Sequence, residues 1–145
     1  MQLSNVLKVY GITLIVYLLM DAIWLGIVAR QDYVDAIGFL MREDVPIWPW
    51  VTFYLLYVFV ILKLCIFCSN KPSFSRALTH SILLGAASYG AYNLTNYAML
   101  ENWPLNITIS DWVWGTVVTT TSAMAGFFAY KFFNSKSQTL DSTPS

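Results

Sequence analysis

The sequence predicts an all-α protein, an integral membrane four-helix bundle with both its N- and C-termini on the cytoplasmic side. Three observations predict it: a large excess of apolar over charged residues, four apolar stretches of membrane-spanning length, and basic residues biased to one end of those stretches. Of 145 residues, 57% are hydrophobic and 11% charged, and the mean hydropathy is +0.58. A soluble domain carries roughly 25% charged residues, and a chain this small has too much surface per residue to compensate with a larger core. Lipid tolerates such a surface. The formal net charge of zero argues against nucleic acid as a partner, because phosphate binding draws on clustered Lys and Arg.

A hydrocarbon core about 30 Å thick needs roughly 20 apolar residues of helix. Four stretches qualify: residues 6–29, 47–69, 77–100 and 107–133. The first lacks the short apolar core and small-residue cleavage site of a signal peptide, so it is expected to remain as a helix. The link 30–46 carries Arg30, Asp32, Asp35, Arg42, Glu43 and Asp44, with room for a short surface helix. The rest is one transmembrane domain, residues 1–133, followed by a polar, Ser- and Thr-rich tail, 134–145, expected to be disordered and cytoplasmic.

With the N-terminus inside, Lys8, Lys63, Lys71, Arg76, Lys131 and Lys136 fall at or toward the cytoplasmic side, leaving Arg30 and Arg42 outside. Lys63 lies within the second stretch but near enough to its end to snorkel. Trp48, Trp50, Trp103, Trp112 and Trp114 then gather at the outer interface, where indole rings favour the mixed polar and apolar zone. The expected location is a bacterial inner membrane, crossed several times.

Ionisable groups inside a membrane are costly unless paired or hydrated. Asp21 lies in the outer third of the first stretch, about 22 Å from its inner end at 1.5 Å per residue. Tyr54 and Tyr57 on the second, Tyr89, Tyr92, Asn93 and Asn96 on the third, and Asp111 on the fourth reach the same half. Helical spacing aligns Tyr10, Tyr17, Asp21, Trp24 and Val28 in one stripe. Gly85, Tyr89, Tyr92 and Asn96 form a second, with Asn93 flanking it; Asp111, Gly115, Thr119, Ser122 and Gly126 form a third. Turned inward, these stripes would enclose a polar pocket opening outward. Its candidate binding residues are Asp21, Trp24, Tyr54, Tyr57, Tyr89, Tyr92, Asn93, Asn96, Asp111 and Trp114. The pairs Ala86 and Gly90, Ala87 and Ala91, and Ser122 and Gly126 predict tight packing between the third and fourth helices.

The segments Asp21-Ala-Ile-Trp24-Leu-Gly26, Phe53-Tyr-Leu-Leu-Tyr57, Tyr92-Asn-Leu-Thr-Asn96, Trp103-Pro-Leu105 and Asp111-Trp-Val-Trp-Gly-Thr116 resemble the motifs of a bacterial membrane-protein family, domain of unknown function 2177, across essentially the whole chain. The resemblance implies a compact four-helix inner-membrane protein and no particular reaction. In one respect the chain departs from the family pattern: Asn93 stands where an Asp precedes the Leu-Thr-Asn run, which preserves hydrogen bonding there but removes a carboxylate.

Each candidate also has a plainer account. Asp21 serves equally as a structural carboxyl bonded to Asn or Tyr of a neighbouring helix, or as a proton carrier or ligand contact. Asp111, with Ser110, stands near the expected start of a helix, where capping free N–H groups is the simpler role. Asn93 and Asn96 suit helix bridging, and Tyr89 and Tyr92 suit packing. Cys65, Cys68 and His80 are too few for a convincing metal site, so no metal and no cofactor is expected. No Walker loop, nucleophile elbow or dinucleotide fingerprint occurs. Three functional readings remain open. The first is a binding or transport-type protein for a small solute, proton or lipid headgroup. The second is a lipid-modifying enzyme using Asp21 and Asp111 as acid and base, and the third a structural subunit. Membrane lipids are the expected partners, and so small a bundle also suits a homo-oligomer.

Overall fold

The computed structural model describes residues 2–69 and 72–141, the side chains of 136–141 excepted. The described residues form five α-helices: α1 (Leu3–Ile23), α2 (Arg30–Ile37), α3 (Trp48–Ile61), α4 (Phe74–Met99) and α5 (Leu105–Asp141). α1 and α3 each run on into a π-helical turn, Trp24–Val28 and Leu62–Ile66, and α2 ends in a 3-10 turn, Gly38–Leu40. Among the described residues there is no strand.

Local chemistry sets the helix ends. Pro49 sits in the first turn of α3, where its missing N–H costs nothing and its fixed φ suits a helix. Ser73 caps α4, its hydroxyl accepting from the Arg76 N–H at 3.3 Å. The turn into α5 passes through Asn102 at φ 62°, a left-handed conformation that Asn tolerates better than most residues. The Pro104 carbonyl then accepts from the Thr108 N–H at 3.1 Å and starts the helix.

α4 and α5 share the most extensive contact in the molecule, followed by α1 and α5. Small residues permit the first, as expected: of the pairs the sequence singles out, Ala86 and Gly90 meet Trp112 of α5, whose indole N–H donates to the Ala86 carbonyl at 2.7 Å. Ala87 and Ala91 are exposed; further close approaches are at Gly85, where a Cβ would stand 2.8 Å from the Thr116 Cα, and at Gly115, which lies under the Tyr89 ring. Gly126, paired with Ser122 in the sequence reading, packs instead on Thr13 of α1 and on Ile66. α1 and α5 run in opposite directions, with Lys8 over the Phe133 ring at 5.3 Å and Trp24 stacked on Trp114 at 4.7 Å.

The distribution of polarity is inverted relative to a water-soluble fold. Asn5, Thr13, Asp21, Ser81, Asn93, Thr108, Asp111, Thr119 and Ser122 are buried, while Leu7, Ile15, Leu19, Leu56, Phe59, Leu83, Val113 and Phe128 face outward. Exposed apolar area on this scale is a liability in water and a requirement in lipid.

Among the described residues, Leu3–Val28 and Trp48–Ile66 are long and apolar enough to cross a membrane by length and composition; α4 and α5 have the length, but Ser, Thr and Asn along their packed faces dilute their apolarity. Two sequence expectations need correction. α5 continues past Phe133 to Asp141, through part of the segment expected to be disordered, since no Gly or Pro interrupts it before Pro144. Residues 142–145 of that tail, Lys71 and the Lys136 side chain lie outside the described residues. Finally, the first stripe ends on Ala29, 4% exposed, and not on Val28, 57% exposed. The Trp24 carbonyl accepts from the Ala29 N–H at 2.8 Å, an i to i+5 bond, and the wider turn shifts the phase of everything after it.

Candidate ligand cavity

The last turn of α1 brings Asp21 to the interior at 6% exposure. Tyr54 of α3 donates its hydroxyl to Oδ2 at 2.6 Å, and the Trp114 indole of α5 points its N–H at Oδ1 from 3.4 Å. The first is a short hydrogen bond; the second is longer than an ordinary N–H···O contact and contributes orientation more than energy. Beneath this carboxyl the Tyr17 and Tyr89 hydroxyls bond to each other. The Tyr57 hydroxyl and Thr119 Oγ1 lie 3.0 Å apart, and Thr119 returns its proton to the Gly115 carbonyl at 2.6 Å. Four helices are thus tied together by side-chain hydroxyls at one level.

Asp111 forms a second centre. Asn93 donates from Nδ2 to Asp111 Oδ2 at 2.7 Å and to the Tyr89 carbonyl at 3.1 Å, and the Tyr33 side chain of α2 lies beside the same carboxyl. This overturns helix capping as the role of Asp111: α5 begins at Leu105, so Asp111 lies in its second turn, beyond the free N–H groups of the first. Burial, then the neighbouring Asp111 carboxylate, pushes the Tyr33 phenol well above its ordinary value, so Tyr33 stays a hydrogen-bond donor at physiological pH.

Both carboxyls open onto one cavity of about 790 Å³. Of the sequence candidates, Asp21, Tyr54, Tyr89, Tyr92 and Asp111 line it. Tyr92 does so from a half-exposed position. Trp24, Tyr57, Asn93, Asn96 and Trp114 are not part of its lining. Asn93 and Trp114 hold the two carboxyls from behind, Trp24 backs Trp114 at an interplanar angle of 7°, and Tyr57 belongs to the hydroxyl layer below. The Asn93 Oδ1 and Trp24 Nε1 atoms are buried without a hydrogen-bond partner.

The rest of the lining comes from residues that the sequence reading did not assign to the pocket: Leu25, Arg30, Tyr33, Val34, Ile37, Met41, Trp50, Phe53 and Ser88. Most of these come from α2 and the turn after it. A signal for them was present, since Arg30, Tyr33, Val34 and Ile37 fall at i, i+3, i+4 and i+7, one face of a helix. The acidic residues between them, Asp32 and Asp35, mask that face when the link is read for charge alone.

The arrangement is one of recognition more than of covalent chemistry. Two carboxyls and several phenols supply acceptors and donors, with aliphatic and aromatic walls beside them. Ser88 is the hydroxyl nearest to a nucleophile in the lining, and His80 is engaged elsewhere, its Nδ1 2.8 Å from the Leu64 carbonyl. Cys65 is buried and Cys68 exposed, and among the described residues no group of three His, Cys, Asp or Glu is placed to hold a metal ion.

No curated protein and no solved structure matches the chain. The family model described as "Predicted membrane protein (DUF2177)" matches residues 6–128. The motifs around Asp21, Tyr54, Asn93 and Asp111, which build the cavity and its supports, all fall inside that match, and the chain belongs to this family of membrane proteins.

Proposed function

We propose that the protein is a multi-pass inner-membrane protein of four spans, both termini cytoplasmic, whose outward-facing cavity binds the polar end of an amphiphile and holds it or passes it on. The observation that carries this reading is the cavity itself: two hydrogen-bonded carboxyls in a lining that is otherwise mostly aliphatic and aromatic, and a volume within the range of about 300–1,000 Å³ usual for small-molecule sites. The apolar outer faces of all four long helices support four spans. The orientation is supported by Lys8 and Lys131, which stack on Phe133 and Phe127 at the end of the molecule away from Asp21.

Orientation is tested at Cys68. A membrane-impermeant maleimide should leave it unlabelled in intact spheroplasts and label it in inverted vesicles; the reverse pattern overturns the topology. Binding is tested by extracting the protein gently and identifying co-purified amphiphiles by mass spectrometry. Asp21→Asn and Tyr54→Phe should each lower the retained amount several-fold, while Asn96→Ala, outside the cavity lining, should not. Equal retention in folded Asp21→Asn and wild type overturns the reading.

Asp21 and Asp111 open onto the same cavity, which also favours an acid–base role on a bound lipid. Lipid analysis of a deletion strain separates the two: a missing product or accumulated precursor indicates turnover, and an unchanged lipid profile indicates binding alone.

A further inference from the structure

The cavity proposed as a binding site carries charges of both signs in different places. Asp21 and Asp111 are buried at 6% and 7% exposure, with the rings of Tyr54, Tyr89 and Tyr92 in the same wall. Carboxylates among aromatic faces suit an organic ammonium group, which the rings attract through their quadrupoles and the carboxylates through charge. The cationic liner, Arg30, is exposed and opens α2, immediately after the apolar segment Leu3–Val28 ends. That position is the boundary between hydrocarbon and water, where lipid phosphates lie. A guanidinium offers a planar fork of donors that matches phosphate oxygens.

The two centres are connected. Arg30 and Tyr33 are one turn apart on α2 and so share a face, and Tyr33 lies beside Asp111 in the same lining. Beyond them Val34, Ile37 and Met41 continue the wall as an apolar surface. A ligand with only a cationic group would leave Arg30 unpaired beside it, and a ligand with only an anionic group would face two carboxylates. A zwitterion answers both. Resting on the cavity reading above, we infer that the ligand is a phosphate-linked organic ammonium compound, with Arg30 holding the phosphate, Asp21 and Asp111 holding the ammonium among the tyrosines, and any acyl chain leaving along Val34, Ile37 and Met41. Such a compound comes either as a lipid headgroup, as in phosphatidylethanolamine, or free, as in phosphoethanolamine.

The test uses the full chain in detergent, offered equal amounts of three probes and read by native mass spectrometry. Phosphatidylethanolamine has both groups, phosphatidylglycerol has the phosphate without the amine, and dodecylamine has the amine without the phosphate. Phosphatidylethanolamine should be retained about tenfold over either, the factor that one desolvated ion-pair or cation–π contact supplies. Arg30→Gln should abolish its advantage over dodecylamine, and Asp111→Asn its advantage over phosphatidylglycerol, with circular dichroism reporting the fold of each. Displacement by millimolar free phosphoethanolamine assigns the site to the headgroup alone; retention against it assigns the site to the lipid. Equal retention of phosphatidylethanolamine and phosphatidylglycerol by the wild type, which needs no variant to interpret, overturns the inference and leaves the amphiphile reading standing. Retention of none of the three overturns both.

Discussion

Replacing Gly115 by Ala tests the packing on which the cavity stands. An added Cβ at this position falls on the Tyr89 ring, whose carbons are its nearest neighbours. The ring has little freedom to retreat: its hydroxyl is bonded to Tyr17, and Tyr57 packs edge-on against it at 6.2 Å. Overpacking of this kind costs about 1–3 kcal/mol, and a direct superposition on a held ring belongs at the upper end. Against it stands a gain of up to about 1 kcal/mol from replacing Gly by Ala within a helix. The net expectation is a loss of about 2 kcal/mol. Gly11 provides the internal standard, because a Cβ there meets nothing within 4 Å, so Gly11→Ala should be neutral or stabilising by up to about 1 kcal/mol. The two substitutions, chemically identical, should therefore differ by about 3 kcal/mol. Unfolding in mixed micelles titrated with sodium dodecyl sulfate, followed by circular dichroism, measures both. A Tyr89→Ala change in the Gly115→Ala background should recover part of the loss, since neighbours in contact are not additive. If Gly115→Ala and Gly11→Ala unfold at the same detergent fraction, Tyr89 does not cover Gly115, and the placement of Tyr89 in the cavity wall fails with it.

Asn93→Leu removes the 2.7 Å donor from Asp111 and should cost about 1 kcal/mol in the same titration, the scale of interhelical hydrogen bonds in membranes; no loss would mean that Asp111 finds another partner. Tyr33 lies outside the membrane segments, and its phenol is held above its ordinary value. As pH rises past about 10 the unfolded chain releases this proton while the folded chain keeps it, so stability falls with pH there. Tyr33→Phe should flatten that fall by one proton's worth, and an unchanged slope would refute the buried contact with Asp111. Cys68 is exposed and Cys65 buried, so one equivalent of maleimide should couple to the solubilised native protein and two after denaturation, as counted by intact mass; two in the native state would contradict the burial of Cys65.

The sites that sequence reading finds and those it misses divide along a physical line. Asp21 and Asp111 were legible because a carboxyl in an apolar stretch is expensive wherever the helix turns, so its presence demands an explanation before any coordinates exist. The stripe Asp111, Gly115, Thr119, Ser122 and Gly126 was legible because α5 is regular over that span, and helical spacing alone puts these residues on one face, now seen to be buried. Val28 and Ala29 were interchanged because a π turn adds a residue to the period, and the bond that makes it leaves no mark on the sequence. The cavity wall from α2 was missed because Tyr33, Val34 and Ile37 alternate with charged residues in a link too short to span, and only its position against α1 and α5 makes one face of it interior.

The amino-acid sequence by itself determined that this chain is helical and belongs in a membrane, because those properties are sums over residues: apolar content, span length and the placement of basic groups need no partner. It also determined which side chains would be costly to leave in lipid. Only the tertiary structure decided which of them meet. Asp21 finds Tyr54 across 33 residues and Trp114 across 93, while Asp111 finds Asn93 across 18. A hydrogen bond extends about 3 Å, so its existence depends on how helices lean and turn against one another, and that is set by packing at residues such as Gly85 and Gly115 far more than by the polar groups the packing brings together.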